Sequence, residues 1–384
     1  MADRKLAIIG ASYLQMPLIE KAKEMGFQTH VFAWRAGAPG ETAADVFYPI
    51  SITEKEEILD VCRTIGICGI CSIGSDLAMG AVSYVADALG LPANSVEAAE
   101  RAMNKHAMRR AFEKGGDPSA RSRLVSNISD LDLKALTYPV IVKPLDRSGS
   151  RGITKLMSEE GLEEAIEYAK EQGFEKKALV EDYIEGKEYS AECISYNGEH
   201  HLLAITEKFT TGAPHFIETG HLEPSDLSES MYRRVEAVVK HALDSLGLTT
   251  GASHSEFRID DAGNIRIIEI GGRMGGDFIG SDLVKLTTGV DFVKAVISCA
   301  LGEEPDLKQG THVGAAGIRF ILNNMDVIAF ERLKKEHPEF LVRYEINALN
   351  GSVTDSSSRH GYFLMKAETR EALLPYMPEA EKKA

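Results

Sequence analysis

Short apolar runs alternate with longer amphipathic stretches at the start of the chain. Leu6–Ile9, Thr29–Ala33 and Gly69–Ile73 read as buried strands, with a shorter one at Phe47–Pro49. Pro17–Met25, Lys55–Ile65 and Met79–Leu89 read as helices, the first stopped by Gly26 and the last by Gly90. Strand, glycine turn, helix, strand is the βαβ unit, so residues 1–94 are expected to form a small doubly wound α/β domain. The first turn, Gly10 to Gln15, lacks the later glycines of a dinucleotide fingerprint. Gly74-Ser75-Asp76 falls at the carboxyl end of a strand, where such sheets bind ligands.

Beyond this unit the pattern changes. Ser95–Lys114 reads as one helix with Ser95 as N-cap and Gly115-Gly116 as its stop. Strand Tyr138–Val142 runs into Lys143 and a loop of small residues reaching Gly152, and helix Leu162–Gln172 leads to strand Ala178–Val180. Tyr189–Tyr196 and Leu202–Thr206 form a hairpin across Asn197-Gly198. Segment 208–226 reads as turn-rich and carries His215, Glu218 and His221. Helix Ser230–Leu246 precedes a second hairpin, Ala252–Ile259 and Ile265–Ile270, joined at Asp260–Asn264. Ser281–Gly302 reads as helical, and strands follow around Gly314–Leu322, Phe340–Ile346 and Gly361–Lys366.

Composition narrows the function classes. The chain has 384 residues, 44% hydrophobic and 26% charged, and its length predicts two to three domains. No run reaches the roughly 18 apolar residues of a membrane span, and the N-terminus does not read as a signal peptide. An odd count of five cysteines argues for a reducing compartment, so a cytoplasmic location is expected. Cys68 and Cys71 sit in a strand-like run and read as buried thiols. A net charge of −15 speaks against nucleic acid as the partner, though not against one nucleotide in a locally basic cleft.

The chemistry concentrates in the second hairpin. Glu256 and Glu269 stand in otherwise apolar strands, and across a hairpin they can share a face. Two carboxylates that close call for a cation, and hard oxygen ligands suit Mg²⁺. Gly271, Gly272, Arg273, Gly275 and Gly276 follow, a flexible bend with one fixed positive charge. A lysine leaving a buried strand beside a loop containing Ser148, Gly149, Ser150 and Gly152 is a phosphate arrangement, although the order is not that of a Walker A loop.

Taken in order, these features resemble the ATP-grasp superfamily. They are Lys105, Lys143 with its loop, Glu181 and Glu188 seven residues apart, Glu256 and Glu269 thirteen apart, and Arg273 four further on. The resemblance covers nearly the whole chain and implies an α/β protein. An ATP-grasp domain (95–303) would follow a βαβ front domain like that of biotin carboxylase (1–94), and a small α+β subdomain (304–384) would close over the site. It implies that Lys105 and Lys143 hold phosphates and that loop 146–152 closes as a lid. Glu181 and the backbone of Asp182 and Ile184 would read adenine, and Glu188 the ribose. Glu256 and Glu269 would bind two Mg²⁺ ions, or Mn²⁺ in their place. Many relatives carry Asn two residues after the second acid; here that position is Gly271.

The E-I-G-G-R form is similar to the bacilysin-type L-amino-acid ligases. This implies an ADP-forming ligase that joins a small carboxylate, as an acyl phosphate, to an amine. Arg273, His221 and Lys143 would be its catalytic groups, with Glu218, His254 and Gly275 at the substrate; a homodimer through the front domain is what the resemblance to biotin-carboxylase-type enzymes implies. Purine-pathway or carbamoyl-phosphate-type chemistry and a non-catalytic ATP sensor are the alternatives.

Overall fold

A computed structural model describes residues 4–147, 151–213, 216–310 and 314–379. The front unit comprises β1 (Lys5–Ile9), α1 (Met16–Glu24), β2 (Gln28–Phe32), α2 (Pro39–Ala43), β3 (Val46–Tyr48), α3 (Lys55–Ile65), β4 (Gly69–Cys71) and α4 (Asp76–Leu89). Its parallel sheet has the order β3-β2-β1-β4. Leu6, Ala7, Ile8 and Ile9 are all buried, as expected of a strand covered on both faces. The strand order reverses between β1 and β4, so a crevice opens at their carboxyl ends. There α4 starts at Asp76, three residues before the apolar pattern begins.

Next come α5 (Val96–Met103) and α6 (Lys105–Gly115), where the sequence predicts one helix. Asn104 breaks it: its backbone is extended, and its side chain accepts from the Ala107 amide, capping α6. An Asn inside a helical pattern stays ambiguous until its backbone shows whether it caps. The break makes Lys105 the first residue of a new helix.

A small antiparallel sheet follows, of order β5-β8-β6-β7. It contains β5 (Ser122–Val125), β6 (Val140–Pro144), β7 (Thr154–Leu156) and β8 (Ala178–Asp182), covered by α7 (Leu162–Gln172). The main body is built from β9 (Lys187–Tyr196), β10 (Glu199–Thr210), β11 (Glu218–Glu223), α8 (Glu229–Leu246), β12 (Gly251–Ile259) and β13 (Ile265–Gly271). A π-turn at Ile279–Leu283 leads into α9 (Val284–Thr288), and then come α10 (Phe292–Ala300), β14 (Ala315–Phe320), α11 (Asn324–Glu336), β15 (Leu341–Ile346), β16 (Gly361–Ala367) and α12 (Arg370–Leu373). Eight of these strands make one antiparallel sheet, β13-β12-β9-β10-β11-β14-β16-β15. The segment after residue 303 therefore extends the same sheet as the central hairpin.

Three expectations change here. The stretch read as turns from residue 208 contains the end of β10 and all of β11. The helical stretch from Ser281 is interrupted at Gly289, which takes φ +77° after α9. Helix α11, capped by Asn323, was not expected. Strand β11 escaped detection because its inward side chains are polar: His221 and Glu223 are buried as deeply as the leucines of the core.

That polarity belongs to the whole sheet. One face is apolar: Tyr189, Ala191, Cys193, Ile205, Phe257 and Ile267 pack on Val235, Val239, Leu243 and Leu246 of α8. The opposite face carries Glu188 and Glu192 on β9, Thr206 and Lys208 on β10, His221 and Glu223 on β11, and His254, Glu256 and Arg258 on β12. Strict alternation puts them all on one side.

Glu223 shows the cost of this layer. It is fully buried and accepts from the hydroxyls of Thr206 (2.6 Å) and Thr287 (2.9 Å). Burial pushes its carboxyl up to about 7, against the pull of the two hydroxyls. The folded state therefore holds a proton that the unfolded chain releases near 4.5. The stability this contributes is complete below about pH 4.5 and is lost as pH rises through about 7. The window corresponds to about 3 kcal/mol. In Glu223→Gln this part of the pH dependence should vanish. Thermal unfolding of both proteins across pH 4–8 measures it as the difference in slope.

Candidate active site

A cavity of about 390 Å³ opens where the three sheets meet. Asp76 reaches it from the front unit, Lys143 and Glu181 from the small sheet, and the charged face of the large sheet forms its floor.

On that floor Glu256 and Glu269 are direct cross-strand partners, but simple alternation does not put them together. Ile267 pairs with Phe257 on the apolar face, so a regular β13 would turn Glu269 onto that face too. The register shifts between these pairs, leaving Ile268 as an extra residue, and Glu269 emerges beside Glu256. A β-bulge that re-aims a side chain next to a site is a recurrent device. Both acids line the cavity. Each is met by a lysine: Lys105 Nζ lies 2.7 Å from Glu269, and buried Lys208 pairs with Glu256. Burial disfavours the charge of Lys208, but Glu256, Glu188 and Glu218 outweigh it and hold its pKa well above the ordinary value.

Lys143 donates to Glu181 at 2.7 Å, and Arg109 grips the same carboxylate through Nε (2.8 Å) and Nη2 (3.1 Å). Burial pushes the Glu181 carboxyl up, yet Arg109 and Lys143 pull it down to about 2. Lys143 itself is lowered, chiefly by burial. Glu181 thus faces two cations, and the Asp182 amide donates to Arg121. Arg258 donates to Glu188 (2.9 Å), to Tyr183 Oη (2.7 Å) and to the Ile184 carbonyl (3.1 Å). Gly152, at φ +69°, packs against Pro144 and Gln172, while Ser148, Gly149, Ser150 and His215 lie outside the described residues.

The glycine bend closes the cavity. Glu192, fully buried, accepts from His254 Nδ1 and from the Gly275 amide (2.8 Å), and His254 Nε2 sits 3.3 Å from Glu256. Burial lowers the imidazole pKa, but Glu192 and Glu256 raise it to about 9. A Cβ at Gly275 would lie 2.7 Å from Glu192 Oε1, so this glycine allows a close approach. Arg273 pairs with Asp76. Burial keeps His221 neutral, with Nε2 3.8 Å from Asp277, which Arg359 holds through two hydrogen bonds of 2.7 and 2.8 Å. Glu218 accepts from Ser356. Loop residues 356–359 therefore lie against the site.

Sequence reasoning did not single out Lys208, Arg109, Glu192, Arg258, Asp277 or Arg359 as site residues. Lys208 carried a signal: it stands two after Thr206 on the alternation that β10 continues. The others became visible only through the strands and loops opposite them.

Comparison with known proteins agrees with this geometry. Residues 136–282 match the ATP-grasp domain family. The chain carries an ATP-grasp domain. It is 27% identical over 285 residues to the alanine–anticapsin ligase of Bacillus subtilis, covering 67% of this chain and 60% of that protein's length. The L-amino acid ligase from Bacillus licheniformis superposes with a TM-score of 0.81 at 23% identity, covering 97% of this chain and 96% of the other. Phosphoribosylglycinamide synthetase from Anaerococcus prevotii gives 0.76, also at 23%, with the same coverages. The two structures share the ATP-grasp architecture and a front parallel-sheet domain with this chain.

The matched ATP-grasp region supplies Lys143, Glu181, Glu188, Lys208, Glu256, Glu269 and Arg273. Asp76, Lys105, Arg109 and Arg359 come from outside it. The Arg109–Glu181–Lys143 cluster should be costly to break. In Glu181→Gln two buried cations lose their common anion, and stability should fall by about 3–5 kcal/mol. A lowered urea midpoint at unchanged slope measures it.

Proposed function

We propose that this protein is an ADP-forming ligase that activates a small, amino-acid-like carboxylate with ATP and joins it to an amine. The observation that carries the reading is the pairing of Glu256 with Glu269 in a cavity whose cations, Lys105, Lys143, Lys208 and Arg273, come from four separate elements. The similarity to alanine–anticapsin ligase supports the amino-acid-like substrate.

In this reading Lys105 turns from Glu269 to the nucleotide's phosphates and is joined there by Lys143. Lys105 and Lys143 hold them as cations, and Lys143 keeps its orientation through Glu181. Glu188 meets the ribose hydroxyls, and the hinge backbone around Asp182–Ile184 meets the adenine. The loop containing Ser148, Gly149, Ser150 and Gly152 closes over the phosphates as a lid.

Glu256 and Glu269 are an all-oxygen pair. This suits Mg²⁺, which takes one or two carboxylates and completes its shell with phosphate oxygens and water. Bound there, the ion would neutralise charge on the transferring phosphoryl group. The substrate carboxylate attacks the γ-phosphate, ADP leaves, and the amine then displaces phosphate from the acyl phosphate. Arg273 stabilises the charge on the reacting acyl group. His221, held neutral, takes the proton of the attacking amine, and Glu218 and His254 orient the substrate beside Gly275. No covalent enzyme intermediate is needed, so catalysis consists of positioning and charge neutralisation.

The division into 1–94, 95–303 and 304–384 belongs to the same reading. A separate parallel sheet supports the first boundary, while the shared large sheet ties the third unit to the second. A homodimer through the front domain also remains part of it.

The test is phosphate release from MgATP with pooled carboxylates and amines. Acceptor-dependent ADP and phosphate, lost in Glu269→Ala, is the expected result. If release requires bicarbonate or a ribosylamine instead, the enzyme belongs to the purine or carbamoyl type. Tight ATP binding with no productive acceptor would leave a sensor. Within the ligase reading, Arg273→Ala should lower kcat by about 100-fold or more while changing nucleotide affinity little, because its contact forms in the transition state.

A further inference from the structure

Gly271 follows Glu269 on the charged face, opposite His254, and its φ lies outside the left-handed region. Backbone freedom is therefore not what calls for glycine here. The requirement is space. A Cβ at Gly271 would stand 2.6 Å from Asp76 Oδ1 and 3.2 Å from Arg273 Nε.

The group filling that space comes from far away in the chain. Asp76 opens α4 at the carboxyl end of the front sheet, and its two oxygens accept from Nε and Nη2 of Arg273 at 2.8 and 2.9 Å. Side-chain exposures of 25% and 13% place the pair largely out of solvent. A bidentate carboxylate–guanidinium pair fixes the guanidinium plane as well as its position. Nη1 is left with a 3.4 Å contact to the Met274 carbonyl. Met274 neighbours Gly275, whose amide Glu192 holds, so the bend is pinned on both sides of Met274.

We propose that Asp76 is the positioning residue for Arg273, reaching from the front domain into the ATP-grasp cavity through the room that Gly271 leaves. What Arg273 then does to the substrate rests on the ligase reading; that Asp76 holds it does not. The front domain thereby completes the site, because the arginine's free edge is aimed only when the two domains meet.

The experiment is a double-mutant cycle of Asp76→Asn and Arg273→Ala in the full chain, with Gly271→Ala and Asp76→Gly/Gly271→Ala beside it. Acceptor-dependent phosphate release, MgADP affinity and urea unfolding are measured for each. Asp76→Asn should lower kcat about 100-fold, the loss expected from a misplaced catalytic group, with MgADP affinity changed by less than about twofold. It should have no further effect once Arg273 is Ala. Gly271→Ala should be as damaging, and removing the Asp76 side chain should make it less so. Multiplying effects in the cycle, or an Asp76→Asn protein that loses only unfolding midpoint, would overturn the proposal. If the wild type turns over with no acceptor, the ligase reading alone falls. Coupling of the two substitutions in the unfolding midpoint would then still support Asp76 as the residue that holds Arg273, and additivity would overturn it.

Discussion

Charge balance inside a largely buried layer is the constraint on which the rest depends. One face of the large sheet carries Glu188, Glu192, Glu223, Glu256 and Glu269, and ionised carboxylates at such positions are unfavourable unless each has a partner. The structure meets this with cations drawn from the whole chain: Lys105 from a helix start, Lys208 and Arg258 from neighbouring strands, and His254 from between two acids. Glu223, which pairs with no cation among the described residues, is met by two hydroxyls and by a proton. The layer is stable as it stands and reactive toward anything that rearranges its pairs. On the proposed reading, a polyanionic nucleotide with its metal ion enters by exchanging partners within this layer.

Much of this was legible in the sequence, for identifiable reasons. The front βαβ unit could be read because its strands are continuous apolar runs. The acids Glu256 and Glu269 stood out because they interrupt such runs. The order of lysines, acids and arginine carried the resemblance to the ATP-grasp superfamily, and an ATP-grasp domain is present. Other features were hidden by the same physics that makes them useful. Strand β11 looks like a turn because its buried side chains are polar. Lys208 looks like a surface lysine because nothing nearby in sequence announces the three carboxylates around it. Asn104 looks like a helical residue until its extended backbone shows it to be a cap. Arg109 and Arg359 find their acids 72 and 82 residues away, beyond the reach of local pattern.

The front domain also gains a meaning that its own sequence does not supply. Read alone, Gly74-Ser75-Asp76 is a generic ligand-binding strand end. Set against Arg273, Asp76 makes that crevice a wall of the same cavity, so the front unit is joined to the cavity by an ion pair in addition to its apolar contacts.

The bulge at Ile268 has a consequence of another kind. In β13 the extra residue brings two consecutive side chains, Ile268 and Glu269, to the cavity wall. Removing it would restore regular alternation and still leave Glu269 opposite Glu256, because on a regular strand the residue after Ile267 turns away from the apolar face; what the cavity would lose is the apolar neighbour of the acid. The irregularity thus lets one strand set an apolar side chain and an acid next to each other in the cavity wall, where a regular strand presents only every second residue.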